Sequence, residues 1–399
     1  MAQKKKKWLK FRHRVVRNIA FAILAPYSKL KYGITVEKFK QQNGRQYLVM
    51  MNHQTAFDQF FLGMAFSGPV YYIASEDLFS NGWVSSLIRY IVAPIPIKKQ
   101  TTDVGAVMNC MRVAKEGGTI ALAPEGNRTY SGKTEYINPA IAPLAKKLRL
   151  PIAFYRIEGG YGVQPRWADD VRHGKMRGYV SRVLEPEEFK DLTNDELYEI
   201  IKKELYVNEA AVTGEFYSKT NAEYLDRVMY VCDTCGLSRF DSSGDIIKCT
   251  KCGKEIRYLP TKQLKGVGFD FPFEFVNDWY EYQSDFINNL DVTNLTDSPV
   301  YTDFARFSEV IVYKTKILLN EKARVDLYGN KITVGDMTFD FDKTSAVTIL
   351  GRNKVNIYFD SKVYQLKGDK HFNGLKYVNI FYRYKNIVGG KANVKFLGL

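Results

Sequence analysis

Residues 49–63, VMMNHQTAFDQFFLG, place polar side chains inside an otherwise apolar stretch. Burying polar groups costs free energy unless they have partners or a task, so Asn52, His53 and Asp58 are candidate functional residues. A carboxylate close to an imidazole sets the tautomer of the ring and stabilises its protonated form, which is the arrangement of a general base. We expect His53 in a turn and Asp58 in the first turn of a helix, where the helix dipole favours a carboxylate.

This H-x4-D spacing is a weak signal when it stands alone. A histidine and an aspartate at a strand end more often have a structural role than a catalytic one. The sequence contains no G-x-S-x-G nucleophile elbow. A base that acts without a protein nucleophile would activate a hydroxyl group of the substrate itself.

A second polar group, EGNRTYSG, follows the apolar run GTIALAP. Gly126 lets the backbone approach a ligand closely, and Arg128 can bind a phosphate through two parallel hydrogen bonds. Together with Glu125 they predict an anion-binding turn. Lys98 and Lys99 follow another apolar run, APIPI, although adjacent lysines usually form only a solvated surface pair.

The elements around these residues favour an α/β domain. Short strand-like runs such as RQYLVMMNH, PVYYIAS, YIVAPIPI, LPIAFYRIEG and MRGYVSRVLEP are separated by helical patterns such as VGAVMNCMRVAKEGG and INPAIAPLAKKLRL. This alternation predicts a mainly parallel sheet flanked by helices. Ligands of such sheets bind where strands end and loops begin, and His53 and Glu125 both lie at such positions.

Taken in order, these residues resemble the glycerolipid acyltransferase family, whose best-known members are the 1-acyl-sn-glycerol-3-phosphate acyltransferases. The resemblance covers roughly residues 35–190: N-H-x4-D from Asn52 matches the family's first motif, and EGNRT matches its third, usually E-G-T-R-S. The block SEDLFSNGWVSSLIRYIVAPIPIKK is similar to the second, which normally ends in a phosphate-binding arginine. Lys99 stands at that place and keeps the charge without the fork geometry. LPIAFY resembles the fourth block, with Pro151 kept and Phe154 replacing the second proline.

The resemblance implies a membrane-associated O-acyltransferase. A fatty acyl group would move from a thioester donor, acyl-CoA or acyl-ACP (acyl carrier protein), to 1-acyl-sn-glycerol 3-phosphate (lysophosphatidic acid), giving phosphatidic acid. His53 would be the general base and Asp58 its partner, while the predicted substrate-binding residues are Asn52, Lys99, Glu125, Gly126 and Arg128. The alternative within the same fold is an enzyme that uses another lysophospholipid or a glycolipid as acceptor.

A C-x2-C-x13-C-x2-C pattern, formed by Cys232, Cys235, Cys249 and Cys252, predicts a zinc ribbon. Two such pairs joined by a short hairpin supply the four thiolates of a tetrahedral Zn²⁺ site, and four protein ligands make the metal structural. Disulfides are the alternative, which a reducing compartment disfavours.

The first 34 residues are strongly basic. Ten Lys or Arg residues precede Glu37, the first acidic residue, and the longest uninterrupted apolar run among them, Ile19–Pro26, is far too short to span a bilayer. We predict a basic amphipathic helix in the membrane interface, with Trp8, Phe11, Phe21 and Leu24 in contact with lipid. The alternative is a basic tail followed by an ordinary core helix.

The predicted domains are a basic amphipathic segment at 1–34, an acyltransferase domain at 35–220, the ribbon at 221–262 and a β-rich α+β domain at 263–399. In the last, EFVNDWYEYQSDFINN and HFNGLKYVNIFYRYKN have helical rhythm, and hairpin turns are expected at Gly329, Gly335 and Gly351. Hairpins followed by one helix weakly resemble a pleckstrin-homology domain.

The formal net charge of +15 points to an anionic partner. An anionic membrane surface fits the acyltransferase resemblance, and we expect a peripheral or monotopic protein on the cytoplasmic face. A basic tail, a ribbon and an aromatic β domain would also suit a nucleic-acid-binding protein. Because Asp233, Asp241 and Asp245 offset the cations of the ribbon, no nucleic-acid partner is expected.

Overall fold

The computed structural model describes residues 7–80, 82–97, 103–211, 214–311 and 314–398. These residues form two compact units. Unit 1 comprises the described residues up to Arg166 together with Val171–Tyr217, and unit 2 comprises Trp167–Asp170 and the described residues from Ser218 onwards. The further division of the chain at 34/35 and at 262/263 stays a prediction.

Unit 1 is built on a seven-stranded sheet. Its strands are β1 (Ile34–Val36), β2 (Leu48–Met51), β3 (Val70–Ser75), β4 (Ile95–Ile97), β5 (Thr119–Leu122), β6 (Ile152–Glu158) and β7 (Met176–Leu184). They lie in the order β1-β7-β6-β2-β5-β3-β4. Five of the six neighbouring pairs are parallel, and β6 with β7 is the antiparallel pair. The predicted mainly parallel sheet is therefore confirmed.

Helices cover both faces of this sheet. They are α1 (Phe11–Tyr32), α2 (Asp58–Ala65), α3 (Trp83–Ile91), α4 (Val104–Lys115), α5 (Ile141–Leu148), α6 (Gly160–Val163), α7 (Pro186–Phe189) and α8 (Asn194–Leu205). Leu48 and Met50 of β2 belong to one apolar cluster with residues of α4, α5 and α8. Val49 and Met51, which point the other way, belong to a second cluster with residues of α1 and α2. Because successive side chains of a strand alternate between faces, β2 is the buried centre of the domain.

Helix α1 ends at a glycine that no other residue could replace without strain. Gly33 has φ +61°, in the left-handed region, and its N–H donates to Lys29 O at 3.1 Å. A Cβ at this position would lie 2.2 Å from Gly174 O. The chain therefore turns sharply from α1 into β1. Within the described ranges, no helix combines the length and apolar character needed to cross a bilayer.

Unit 2 begins with short strands around the cysteines and continues into a larger sheet. The first group is β8 (Val231–Cys232), β9 (Gly236–Leu237), β10 (Phe240–Ser243), β11 (Ile246–Cys249), β12 (Glu255–Tyr258) and β13 (Leu264–Gly266), followed by helix α9 (Val276–Asn289). The second group is β14 (Tyr301–Ile311), β15 (Thr315–Leu327), β16 (Lys331–Val334), β17 (Met337–Asp340), β18 (Thr344–Leu350), β19 (Lys354–Phe359) and β20 (Lys362–Gly368), closed by helix α10 (Leu375–Val388).

The larger sheet is entirely antiparallel, in the order β17-β16-β15-β14-β20-β19-β18. The predicted hairpin turns at Gly329, Gly335 and Gly351 each connect two of its strands, and both predicted helices are present as α9 and α10. The β-rich region is therefore confirmed, and its likeness to a pleckstrin-homology domain stays a prediction.

Candidate functional site

His53 and Asp58 form a hydrogen-bonded pair at the carboxyl end of β2. The Nδ1 atom of His53 lies 2.8 Å from Asp58 Oδ2. His53 lies in the loop after β2, and Asp58 is the first residue of α2, as the spacing predicts. The aspartate is fully buried, whereas 23% of the histidine side chain is exposed. Because Nδ1 faces the carboxylate, Nε2 is the ring nitrogen on the side away from Asp58.

The turn between the two residues also holds the Asp58 carboxylate. The backbone N–H of Gln54 donates to Oδ2 at 2.6 Å, and Thr55 donates its N–H and its hydroxyl to the same carboxylate at 2.6–3.0 Å. These donors satisfy both carboxyl oxygens of the buried side chain at the N-terminus of α2. The carboxylate is therefore fixed before any substrate binds.

Asn52 joins β2 to β6. Its Nδ2 donates to Ile157 O at 2.9 Å, and its Oδ1 accepts from Ile157 N at 2.8 Å. The side chain is buried, and both polar atoms of its carboxamide are bonded to the backbone of one residue, Ile157. The predicted contact of Asn52 with substrate would have to compete with these two bonds, so the geometry favours a role in positioning the loop that starts at His53.

The second motif holds the peptide of His53 from both sides. His53 N donates to Glu125 Oε1 at 3.2 Å, and Thr129 N donates to His53 O at 3.2 Å. The structure therefore brings the predicted base and the predicted anion-binding turn together at one edge of the sheet, although they are separated by about 70 residues of sequence. Such an edge is where α/β sheets bind ligands.

Glu125 is buried, and each of its carboxyl oxygens accepts a backbone N–H group. Its second oxygen, Oε2, accepts from Glu135 N at 3.0 Å. Burial raises the pKa of the Glu125 carboxyl to about 8, and these backbone hydrogen bonds oppose the shift without cancelling it. Oε1 thus ties the turn to the His53 loop and Oε2 ties it to the backbone at Glu135, which favours a positioning role over direct contact with substrate.

Of the three remaining predicted anion ligands, the structure describes Gly126 and Arg128. Gly126 has φ +71°, and its N–H donates to Ala123 O at 2.9 Å. A Cβ on Gly126 would have no atom within 4 Å, so the surface above this glycine is open to a ligand. Arg128 is half-buried, and its carbonyl accepts from the guanidinium of Arg166 at 2.8 Å. Lys99 lies outside the described residues.

Several residues of the site were missed by the sequence reasoning. Thr55 holds Asp58, and its T-x-x-D spacing, typical of a helix start, is a signal that was available. Gln164 accepts from the N–H of Ala56 at 3.1 Å. Thr129 binds the His53 carbonyl. No local pattern marks Gln164 or Thr129, because each acts on residues far away in sequence.

Aromatic side chains lie next to the pair. Phe57 precedes Asp58 and packs on Tyr27 and Tyr32 of α1, with ring centroids 6.0 and 5.1 Å away. Phe61 is fully buried, which makes it core, whereas Phe60 is partly exposed. The end of α1 therefore reaches the neighbourhood of the site.

Helix α1 exposes a continuous apolar face, which we call the α1 stripe: Phe11, Val15, Ile19, Ile23, Tyr27 and Leu30. Of the four residues predicted to contact lipid, Phe11 belongs to this stripe and Leu24 is half-buried. Trp8 and Phe21 instead pack against the apolar clusters of unit 1. Trp8 is fixed further by a hydrogen bond from its Nε1 to Ala93 O at 3.0 Å. Both faces of α1 are rich in apolar residues, so hydrophobic spacing alone cannot tell which one meets the core.

In unit 2, the four predicted metal ligands come together. The sulfur atoms of Cys232, Cys235, Cys249 and Cys252 all lie within 4.8 Å of one another, close enough to bind a metal ion. The sulfurs of Cys232 and Cys252 are 3.8 Å apart, which is about the separation of two ligands 2.3 Å from a tetrahedral zinc. All four are free thiols, so the structure does not support the disulfide alternative.

Known proteins resemble part of unit 1. The family model described as Acyltransferase matches residues 33–157, a range that contains the His53 pair and the turn at Glu125. The 1-acyl-sn-glycerol-3-phosphate acyltransferase of Bacillus subtilis (strain 168) is 23% identical over 128 residues, which are 32% of this chain and 60% of the relative. The chain thus spans less than two thirds of the length of this curated relative.

A solved structure, the 1-acyl-sn-glycerophosphate (LPA) acyltransferase of Thermotoga maritima, matches with 22% identity and a TM-score of 0.39. The match covers 48% of this chain and 77% of the other. The family match ends within unit 1 and does not extend to the four cysteines.

Proposed function

We propose that the protein is an acyltransferase that moves a fatty acyl group from an acyl thioester, acyl-CoA or acyl-ACP, to 1-acyl-sn-glycerol 3-phosphate. The observation that carries the proposal is the His53–Asp58 hydrogen bond at the end of β2, with Glu125 and Thr129 of the following motif bonded to the His53 backbone. The family match over residues 33–157 supports acyl transfer, and the name of the Bacillus subtilis relative supports this acceptor.

The chemistry follows from the geometry of the pair. Nε2 of His53 removes the proton of the acceptor hydroxyl as its oxygen attacks the thioester carbonyl. Asp58 holds Nδ1 and stabilises the imidazolium that forms. The ester C–O bond forms, the C–S bond breaks, and the imidazolium returns the proton to the departing thiolate. General-base catalysis of this kind contributes about 10²–10⁴-fold to the rate.

The acceptor phosphate is assigned to the turn after β5 and to the segment after β4. Arg128 supplies positive charge at the turn, and the open space above Gly126 lets the headgroup approach the backbone. Lys99 is proposed as a second cation from its place in the sequence. Holding the phosphate fixes the attacking hydroxyl at His53, which replaces a bimolecular encounter by a positioned one. Asn52 and Glu125 act through the loops that they tie together.

We further propose that unit 1 works at an anionic membrane surface. The α1 stripe offers apolar side chains, while Arg14, Lys29 and Lys31 of the same helix are exposed cations. An interfacial helix combines these two features. Since Tyr27 of the stripe contacts Phe57, a lipid acceptor lying along α1 is close to the catalytic pair.

The cysteine cluster is proposed to hold a structural Zn²⁺. Four thiolates satisfy a tetrahedral zinc and leave no open position for substrate. Burial raises the pKa of the Cys232 thiol, and the backbone N–H groups of Thr234 and Cys235, which bond to its sulfur, oppose that shift. Metal analysis of the purified chain should give about one zinc ion per chain. A chain that is folded and free of metal, with all four thiols reactive, would contradict this assignment.

The test of the activity is product analysis. The purified protein is given radiolabelled acyl thioester and lysophosphatidic acid in lipid vesicles, and the extracted lipids are separated. Labelled phosphatidic acid is expected, and it should form about 10²–10⁴-fold more slowly with the His53→Ala variant. Parallel reactions with other lysophospholipids and a glycolipid acceptor test the acceptor class. Product from one of these alone would move the proposal to that acceptor, and no product from any acceptor would overturn it.

A further inference from the structure

Helix α3 exposes its large apolar residues, which is the reverse of an ordinary surface helix. Its large side chains point outward, with 76% of Trp83 and 47% of Leu87 exposed, and Tyr90 continues the same face. Its one buried residue is the small polar Ser85, whose hydroxyl donates to Leu78 O at 2.7 Å. A surface helix normally buries its apolar face and exposes its polar one. An exposed apolar face of this kind marks an interaction surface.

This face lies beside α1. The Nε atom of Arg12 donates to Tyr90 O at 2.9 Å, and the Arg12 guanidinium lies 3.9 Å from the centre of the Tyr90 ring. Just beyond α3, Ala93 O accepts from the Trp8 indole. The apolar face of α3 and the α1 stripe therefore belong to neighbouring elements of unit 1.

The charges of the two helices favour an anionic lipid surface as the binding partner. Neither α1 nor α3 contains an aspartate or glutamate, while Arg14, Lys29, Lys31 and Arg89 are exposed. Apolar side chains with exposed cations and without anions complement an anionic lipid surface. A second copy of the chain would bring the same cations face to face, which like-charge repulsion disfavours.

We infer that α3 is a second membrane-inserting element, and that Trp83, Leu87 and Tyr90 enter the interface of an anionic bilayer next to α1. The inference rests on the membrane association proposed above and adds a contact that the basic N-terminal segment does not provide. Because α3 connects β3 to β4, this contact anchors the sheet itself at the bilayer, in addition to the helix that precedes it.

Trp83 reports on the insertion directly. The other three tryptophans pack inside the protein, with Trp167 and Trp279 fully buried and Trp8 half-buried. The full-length chain is mixed with phosphatidylcholine vesicles containing phosphatidylglycerol, with bromine atoms on the acyl chains. Quenching of the wild-type fluorescence is expected, and the Trp83→Phe variant should lose most of it. Equal quenching of both proteins would overturn the inference, because Trp83 would then not reach the lipid.

A matched pair of variants measures the contribution to binding. Leu87→Asp places a charge on the α3 face, and Met108→Asp places the same charge on α4 at a residue that is 56% exposed. Leu87→Asp should weaken sedimentation with the vesicles about tenfold or more, the effect of losing one buried apolar side chain, while Met108→Asp should not. If the two variants lose vesicle binding to a similar extent, the loss is due to the added negative charge alone, and a specific contact of α3 with lipid is rejected.

Two further readouts separate the outcomes. The thermal midpoint of Leu87→Asp should stay near that of the wild type, since the residue is exposed. If light scattering finds a dimer that Leu87→Asp dissociates, without quenching of Trp83 by brominated lipid, the face binds a second copy instead. Vesicle binding is measured without acyl donor or acceptor, so its failure leaves the proposed transfer reaction standing, and failure of that reaction is judged by product analysis alone.

Discussion

Each unit contains a histidine hydrogen-bonded through Nδ1 to an aspartate. The distance is 2.8 Å between His53 and Asp58 in unit 1, and 2.7 Å between His371 and Asp226 in unit 2. Judged by this bond alone, the two pairs are equivalent candidates for a general base. Their surroundings separate them.

Asp58 receives further hydrogen bonds from the turn that carries His53, and the His53 peptide is held by the loop of Glu125 and Thr129. His371 instead has 51% of its side chain exposed, and its ring lies 5.0 Å from the ring of Tyr224. The hydrogen bonds around the second pair connect the turn before α10 to the rest of unit 2. One of them runs from the Asn373 side-chain amide to the backbone oxygen of Asp226. A His–Asp pair becomes a candidate base when the surrounding loops fix both of its members, as the loop predicted to bind an anion does for His53.

The largest effect should come from removing the two rings in turn. His53→Ala should lower acyl transfer about 10²–10⁴-fold, the contribution of a general base, with a thermal midpoint near that of the wild type. His371→Ala should leave the transfer rate near wild type and lower the thermal midpoint, because the buried Asp226 loses its partner. Rates are measured by phosphatidic acid formation. Comparable rate losses in both variants would remove the distinction between the pairs.

Changing the two aspartates sharpens the comparison. In Asp58→Asn, an amide nitrogen cannot accept the N–H groups of Gln54 and Thr55. The rate should fall on the order of 10²-fold or more, and stability should fall by about 1–3 kcal/mol. Burial is the largest cause that raises the pKa of Asp226, so a neutral Asn there relieves a cost and should change stability little. Kinetics and urea unfolding of both variants check this.

The opposite pattern, a stable Asp58→Asn and an unstable Asp226→Asn, would mean that the polar turn around Asp58 does not hold it. In that case the bonds from residues 54 and 55 would not explain why the first pair is the candidate base.

Much of unit 1 followed from the sequence because its signals are local. Five of the six predicted strands and the two predicted helices occupy their expected positions, since buried parallel strands and amphipathic helices differ in hydrophobic period. In the sixth run, YIVAPIPI, Tyr90 and Ile91 belong to the end of α3, and only Ile95–Ile97 form a strand. The His53–Asp58 contact could also be predicted, because the two residues are five positions apart where a strand leads into a helix. So short a segment keeps the two side chains close together. The four cysteines were accessible for the same reason, as each pair is separated by two residues.

The parts that escaped prediction depend on contacts between distant segments. Nothing near Asn52 marks its pairing with Ile157, and nothing near Glu125 marks its bond to the His53 peptide. The sequence analysis therefore predicted both residues to bind substrate. In the structure their side-chain polar atoms form hydrogen bonds with backbone groups of the protein. The orientation of α1 escaped for a different reason. Phe21, which packs against the core, and Ile19, which is exposed, are both large apolar residues, so residue type alone does not show which of them faces the core.

The last prediction concerns stability alone and its dependence on pH. It tests Glu125, which holds the His53 backbone and has no counterpart beside His371 in the comparison above. Burial raises the pKa of Glu125 from 4.5 to about 8, so the folded protein keeps a proton that the unfolded chain releases. This stabilisation is fully present below pH 4.5 and is lost as the pH rises to about 8. Glu125→Gln cannot titrate, and its amide meets two N–H donors, so the variant should be less stable than the wild type at pH 5. The deficit should shrink by a few kcal/mol between pH 5 and 8, measured by urea unfolding at several pH values. Parallel curves for the two proteins would show that Glu125 is ionised in the fold, and that the turn is held by a charge instead of a neutral carboxyl group.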